Sequence, residues 1–504
     1  MDSVTIAKLL AFVIYLAAMV FVGLSSASKN NNASDFFLGG RKLGPWFTAL
    51  SAEASDSSAW LLMGLPGLCY LGGFKETFWT ALGLIVGTYL SWLFIAKALR
   101  KCSIAFGDSI TIPEFLTNRF KDKTRVLSIV SVVFIVLFFT IYVASGFVAC
   151  AKLFNSVFGL DYNIGLVIGL VVILSYTIMG GYLAVCTTDF IQGTLIFVAF
   201  VISSVVLLFV LGGPASAISK ARDFSVRAMN GEFGQELLQK FTANKNFSVT
   251  SIISAMAWGL GYFGMPHIIV RFMGIRSNKE VTTARRVGIT WMIVSYIGTF
   301  IIGTLGTAYL LPAILGGGTQ ETVFSVTMMK MYPAFIAGIF LCAILAASMS
   351  TADSQLLVAS SAVSQDIFKG LINPNADEKT VLKISRVTVF LIAAVAFVLS
   401  LDQTSTIFGL VSYAWAGFGG TFGPLILLAL YWRGITNKGA IAGLLVGGIM
   451  VVAWHNMSGG IFDIYEILPA FIFNLIVAVV VSLLDKNKDP QMLAEFDNYK
   501  KMPD

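Results

Sequence analysis

The sequence predicts an all-α polytopic membrane protein of about 13 transmembrane helices, ten of which form a 5+5 inverted-repeat core, spans 2–6 against spans 7–11. Two observations predict it. Of 504 residues, 57% are hydrophobic and 12% charged, roughly half the charge of an ordinary soluble domain at about 25%. Apolar runs that can cross a hydrocarbon core, about 20 helical residues each, recur along nearly the whole chain. No gap between them reaches the 50 or so residues of an independent soluble fold.

In order, the runs cover residues 4–24, 44–72, 77–97, 126–150, 163–180, 189–211, 249–270, 287–312, 333–361, 386–401, 406–432, 439–455 and 462–484. The first has no basic segment before it and no small-residue cleavage pattern after it, so it reads as a retained span and not as a signal peptide. The net charge of +7 is sorted by side. Lys97, Arg100, Lys101, Arg119, Lys121, Lys123 and Arg125 follow the third span, and Arg271, Arg276, Lys279, Arg285 and Arg286 follow the seventh. Gaps of opposite parity, 402–405 and 456–461, hold no Lys or Arg. Basic residues favour the cytoplasmic face, which predicts an external N-terminus and a cytoplasmic tail containing Lys486, Lys488, Lys500 and Lys501. The charge thus reports orientation in a lipid bilayer, not a nucleic-acid partner. The gap at 212–248 is external by parity yet carries Lys220, Arg222, Arg227, Lys240 and Lys245, as long loops do.

Five cysteines without CxxC spacing, and two histidines, His267 and His455, without ligand spacing, leave no pattern for zinc. No GxxxxGK[ST] motif occurs, so ATP is not an expected energy source.

Three spans depart from the apolar rule. The second reads SAEASDSSAW, with Ser51, Glu53, Ser55, Asp56, Ser57 and Ser58, although each acid at mid-bilayer costs about 2.5–3.5 kcal/mol on insertion scales. It also carries Gly64, Pro66 and Gly67, which predict a loosened helix there with carbonyls lacking intrahelical partners. The seventh reads AWGLGYFGMPH, crowding Gly259, Gly261, Gly264 and Pro266 into one helix. Helices five spans apart cross in opposite directions, and interrupted helices at matching places in two halves point to a midplane transport site. The ninth contains SMSTADSQ, where Ser350, Thr351 and Ser354 share a helical face. Such hard oxygens suit Na⁺ better than a soft metal. Tyr142, Trp258, Tyr262, Tyr413 and Trp415 supply aromatic walls for a compact, mostly apolar zwitterion.

The motifs SAxASDxSxW, TIYxASG, AWGLGYFGMPH, ILAAxMST, GLVSYAWAGFG and GGYLAVCTTD resemble the proline branch of the sodium/solute symporter family over nearly the whole chain. The resemblance implies symport of L-proline with Na⁺ into a bacterial cell across its inner membrane, with no enzymatic step and no cofactor. Sodium is the expected coupling ion and lithium a substitute for it. It further implies a sodium site from the carbonyls of Ala54, Ser57 and Ala347 and the hydroxyls of Ser350 and Thr351, with Asp56 as the acid needed for sodium-dependent binding. Ser58, Trp60, Tyr142, Trp258, Tyr262 and Pro266 correspond to substrate-site positions, and Arg41 to a gating or coupling position. Glu53, Ser57 and Ala59 stand where glycine, methionine and glycine are expected. Asp353 is acidic where related carriers have a hydroxyl; with Asp189 and Ser354 it resembles the second sodium site of some relatives. Either that site or a protonated Asp353 is expected, which leaves the coupling ratio open.

The expected division is an extra helix and cytoplasmic loop (1–42), repeat one (43–212), an external loop (213–248), repeat two (249–432) and two further helices with the tail (433–504). Alternative readings are symport of another small amino or carboxylic acid, a non-transporting membrane proline sensor, and a passive channel. The lack of a signalling domain weighs against the sensor, and paired broken helices weigh against the channel.

Overall fold

The computed structural model describes residues 2–27, 33–486 and 488–502. Among the described residues the fold is helical, and its one isolated β-bridge joins Leu43 to Ile275. The chain opens with α1 (Ser3–Ala27) and the short α2 (Ala33–Leu38). Next come α3 (Pro45–Ala59) and α4 (Leu65–Gly72), joined by a π-helical turn at Trp60–Gly64. A second such turn, Ser91–Ile95, joins α5 (Phe74–Leu90) to α6 (Ala96–Ala105), and α7 (Ile112–Phe120), α8 (Val126–Phe158) and α9 (Tyr162–Val210) follow.

The segment read as an external loop folds as two helices, α10 (Pro214–Met229) and α11 (Gln235–Lys245). A 3-10 turn at Trp258–Phe263 separates α12 (Val249–Ala257) from α13 (Pro266–Gly274). The chain continues through α14 (Val281–Tyr309), α15 (Val323–Met331) and α16 (Ala334–Ser361), which runs on in π-helical form to Ile372. It finishes with α17 (Glu378–Leu399), α18 (Ile407–Tyr431), α19 (Asn437–His455), α20 (Ile467–Leu484) and α21 (Pro490–Lys501).

Local chemistry sets many of these limits. Pro45 and Pro266 start helices, where the missing amide hydrogen costs nothing. Asp161, Asp377, Thr406 and Thr436 cap α9, α17, α18 and α19 by accepting first-turn amide hydrogens. Gly159, at φ 66°, ends α8.

Ten described helices are long and apolar enough to cross a membrane, or eleven if the bent pair Val249–Phe263 and Pro266–Gly274 counts as one. The difference from thirteen lies at two places. The stretch Pro45–Gly72 is rich in serine and acid and is broken inside. The helix α9 contains both the fifth and sixth expected spans, bent where Gly181 takes φ 62° and ψ −176°.

The breaks in the other two helices differ in how well the sequence locates them. At the seventh span the pair is bent by 43°, where the glycines and Pro266 predict it. In the second span the sharp break is at Ser58, with φ 41° and ψ −179°, and the helix is loosened again in the π-helical turn Trp60–Gly64, where Gly64, Pro66 and Gly67 predict it. Pro66 follows the π-helical turn directly, and the Leu61 carbonyl in that turn takes a hydrogen bond from the Thr299 hydroxyl at 3.2 Å. A serine with positive φ costs on the order of 1–3 kcal/mol and persists only where its surroundings enforce it.

The centre of the bundle is α18 and α16, with 89% and 78% of their apolar windows buried against 28% for α1. A helix that is apolar all round belongs inside. The broken helices reach this centre through close packing: a Cβ at Gly83 would lie 2.5 Å from the Met256 carbonyl oxygen, and one at Gly87 would lie 2.2 Å from that of Gly259. Gly87→Val is therefore expected to lower stability by about 1–3 kcal/mol through overpacking. Gly23→Ala, with nothing within 4 Å of its Cβ, is expected to leave stability unchanged. Thermal unfolding of the two detergent-purified variants checks the contrast.

Candidate functional site

The break at Ser58 interrupts the hydrogen-bond ladder of α3 at the turn that faces α16. Hydroxyls from α16 fill the gap. Ser350 donates to the Ala54 carbonyl at 2.8 Å and lies 3.3 Å from that of Ala347, and Thr351 donates to the Ser55 carbonyl at 2.8 Å. Ser350 is fully buried and Thr351 nearly so. Ala54, Ala347 and Ser350 thus converge, with Thr351 one residue along. The Ser57 carbonyl instead accepts the Trp60 amide hydrogen, and the Ser57 hydroxyl donates to the Glu53 carbonyl at 2.6 Å. These are neutral, hard oxygens on two helices, a donor set that suits a small monovalent cation.

One residue from this cluster, Asp56 turns to the opposite wall and accepts a 2.5 Å hydrogen bond from the Tyr262 hydroxyl. Asp56 and Tyr262 line a small cavity with Ser57, Trp60, Leu61, Leu84, Tyr142, Trp258, Tyr296, Val411 and Trp415. It leaves about 10 Å³ for the centre of a water molecule, room for about one water. Trp60, Tyr142, Trp258 and Tyr262 stand where the sequence predicts. Ser58 and Pro266 do not line the cavity. The Ser58 hydroxyl accepts the Trp60 amide hydrogen at 3.1 Å, and Pro266 starts α13 beyond the 3-10 turn. Leu61, Leu84, Tyr296 and Val411 line it unpredicted, since one apolar or aromatic residue in an apolar span carries no distinguishing signal.

Aromatic rings roof this cavity. Trp60 stacks on Trp258 with centroids 5.3 Å apart, Trp258 lies 5.4 Å from Phe408, and Tyr465 stacks on Trp258 at 5.1 Å. Above them a vestibule offers about 870 Å³ on the same measure, lined in part by Lys240 and Asn244 of α11 and by Glu321, His455 and Glu466. The opposite face is latched. Arg41 bonds to Asp108 at 3.1 Å, to Ser103 at 3.1 Å and to the carbonyls of Met273 and Ser109 at 2.7 and 2.9 Å. Arg100 donates to the Ile275 carbonyl at 2.7 Å, and the Arg276 amide donates to the Leu43 carbonyl at 2.9 Å. Arg41 is therefore remote from the cavity and holds the C-terminal end of α13.

Asp189, Asp353 and Ser354 meet beside α3. The hydroxyls of Ser51 and Ser55 donate to one Asp189 oxygen at 2.7 and 3.0 Å, and Ser354 lies 2.9 Å from Ser55 and 3.4 Å from Asp353. Arg271, which sequence places at the head of a basic gap, is fully buried among them. Its position just past an apolar run looks topological, and only the acids on distant spans mark it out.

Residues 36–447 match the Sodium:solute symporter family. The chain is 42% identical to the high-affinity proline transporter PutP of Bacillus subtilis (strain 168), over 95% of this chain and 99% of that protein. It is 40% identical to the sodium/proline symporter of Escherichia coli (strain K12), over 98% and 96%. Its fold is similar to that of a Na⁺-coupled sialic acid symporter in a substrate-bound outward-open state, with TM-score 0.78 and 20% identity over 96% of this chain and 99% of that one. Matched by the family model over most of its length and 40–42% identical to these two relatives along nearly all of it, this chain of two broken helices belongs to the sodium:solute symporter family.

Proposed function

We propose that the protein carries L-proline into a bacterial cell together with Na⁺ by alternating access. The observation that carries the reading is the Ser350 hydroxyl held against the Ala54 and Ala347 carbonyls, two residues from an acid that reaches the cavity through Tyr262. Relatives named for proline transport, similar along nearly their whole length, support the choice of substrate.

Sodium enters from the vestibule and replaces the Ser350 and Thr351 hydrogen bonds with ion contacts to the same oxygens, together with the Ser57 carbonyl. That fixes α3 and hence Asp56. The proline ring then packs among Tyr142, Trp258 and Tyr262, which must part to admit it, and Trp60 and Trp258 close above. Release requires the Arg41 latch to open. Repeats spanning 43–212 and 249–432 move against each other, with the N-terminus outside and the tail in the cytoplasm. Lithium substitutes for sodium at the same oxygens.

The energy suffices with one ion: a charge crossing 100 mV contributes about 2.3 kcal/mol, and a tenfold gradient about 1.4 kcal/mol. In proteoliposomes, an inward sodium gradient is expected to drive uphill accumulation of labelled proline. Equal accumulation from a proton gradient without sodium would overturn the sodium reading, and alanine or acetate competing as well as proline would overturn the substrate.

Ser350→Ala and Thr351→Ala each remove one ion ligand. Each is expected to raise the sodium concentration for half-maximal uptake about tenfold, with a smaller change in the proline requirement at saturating sodium. Tyr262→Phe breaks the bond to Asp56 and removes one polar wall. It is expected to weaken proline binding about tenfold in equilibrium assays at saturating sodium. Because coupling is reciprocal, saturating proline is expected to lower the sodium requirement by the factor by which sodium tightens proline.

A further inference from the structure

The tail helix α21 lies across the face that carries the Arg41 latch, and its contacts span the seam between the two repeats. Pro490 starts the helix, and Asp489 caps it by accepting the Gln491 and Met492 amide hydrogens. Met492, Glu495, Phe496, Tyr499 and Lys500 follow at helical spacing and so share one side. Of these, Met492, Phe496 and Tyr499 are buried. Towards repeat one, Glu495 pairs with Lys121, just past α7, at 2.7 Å, and the Phe496 ring covers the Arg119 guanidinium at 4.5 Å. Tyr499 lies 6.2 Å from Phe106 and 5.7 Å from the Lys101 ammonium. Towards repeat two, Asp497 accepts two hydrogen bonds from Arg433, at 2.8 and 2.9 Å, and the Lys500 ammonium lies 4.8 Å from the ring of Tyr431, the last residue of α18.

The α6–α7 corner beneath this helix is also what Arg41 grips, through Ser103, Asp108 and Ser109. When the repeats part on this face, the corner moves away from the end of α18, and a helix pinned to both sides of the seam resists. The fastening is built to yield. Its ion pairs are partly exposed, with side-chain exposures from 27% to 55%, so each is weak. Arg119 is fully buried, yet two of its guanidinium nitrogens have no hydrogen-bond partner among the described residues. Lifting α21 lets water reach them, which offsets part of the lost ring contact.

We propose that α21 is a strap across the cytoplasmic seam, which holds the two repeats closed on that face and must lift from repeat one for proline to leave. The inference rests on the alternating access and the cytoplasmic tail proposed above, and is independent of which oxygens hold the ion.

Lys121→Cys combined with Glu495→Cys, oxidised to a disulfide in proteoliposomes, fastens the strap. The locked protein is expected to keep sodium-dependent proline binding and to lose most of its uptake, which reduction restores. Glu495→Gln combined with Asp497→Asn loosens the strap instead. Cys102, buried on α6 one turn before Phe106, reports the loosening. A membrane-impermeant maleimide applied to inside-out vesicles is expected to label it about fivefold faster than in the unmodified protein, with the labelled site located by mass spectrometry. Full uptake by the locked protein would overturn the proposal, as would unchanged Cys102 labelling in the loosened one. Loss of proline binding on oxidation, regained on reduction, would also overturn it, because the lock would then distort the site and not the exit. If the reduced double-cysteine protein does not fold, Cys102 labelling in the loosened variant decides. No proline uptake by the unmodified protein would instead remove alternating access itself, and the strap with it.

Discussion

A backbone carbonyl deep in a bilayer must have a partner, and the contact between α3 and α16 exists to meet that requirement at the Ser58 break. Within a helix the partner is the amide four residues on; once Ser58 leaves helical geometry, that source fails for the turn before it. Ser350 and Thr351 supply hydroxyls from another helix. A hydroxyl is both donor and acceptor, so the same oxygen that bonds a carbonyl can turn to face a cation beside it. A methyl in that position would leave the carbonyl without a donor. In the sodium reading proposed above, these two hydroxyl residues close the junction when dry and turn to the ion when it enters.

The second broken helix solves the same problem without hydroxyls from α16. The 3-10 turn at Trp258–Phe263 leaves carbonyls that side chains of neighbouring elements take up: Trp415 donates to the Trp258 carbonyl at 2.7 Å, and Ser91 to that of Tyr262 at 2.9 Å. These bonds orient the backbone that carries two cavity-lining rings. Ser91 belongs to the π-helical turn between α5 and α6, and the glycines of α5 allow that helix to lie directly on the broken one. The placement of Trp258 and Tyr262 is therefore set from three sides, although no regular helix holds them.

The membrane class, most spans and the break at GLGYFGMP are legible because each rests on composition or on residues whose backbone preferences dominate their neighbourhood. The convergence of Ser350 with Ala54 and Ala347 came from resemblance, and the geometry brings those residues together. Three features escape such reading. Ser58 breaks α3 through tertiary enforcement, a sharper departure than the widened turn Trp60–Gly64 that the nearby glycines and Pro66 predict. The helices α10 and α11 are short and amphipathic, and a segment read only for spans passes over them. Arg271 is the clearest case, since an arginine beside an apolar run has the same local signature whether it anchors a loop or enters the bundle; Asp189, Asp353 and Ser354, far away in sequence, decide which.

The buried ionisable groups explain why the ion and substrate reading needs no long pathway. Glu53, Asp56, Asp189, Asp353 and Arg271 are all interior, and each lies on or against α3 or α16, the two helices joined at the Ser58 break. Within one stretch of α3, Ala54 and Ser55 present carbonyls to α16, Ser51 and Ser55 present hydroxyls to Asp189 and Arg271, and Asp56 reaches Tyr262. A change in the geometry of this single stretch reaches all three partners, because a helix turn cannot move one carbonyl without moving its neighbours. Energetic coupling between two sites requires an element with discrete arrangements that both sites bias. A broken turn held by hydroxyl bonds is the element that the proposed coupling requires, with the Ser350–Thr351 cluster proposed for the ion on one face and the cavity on the other.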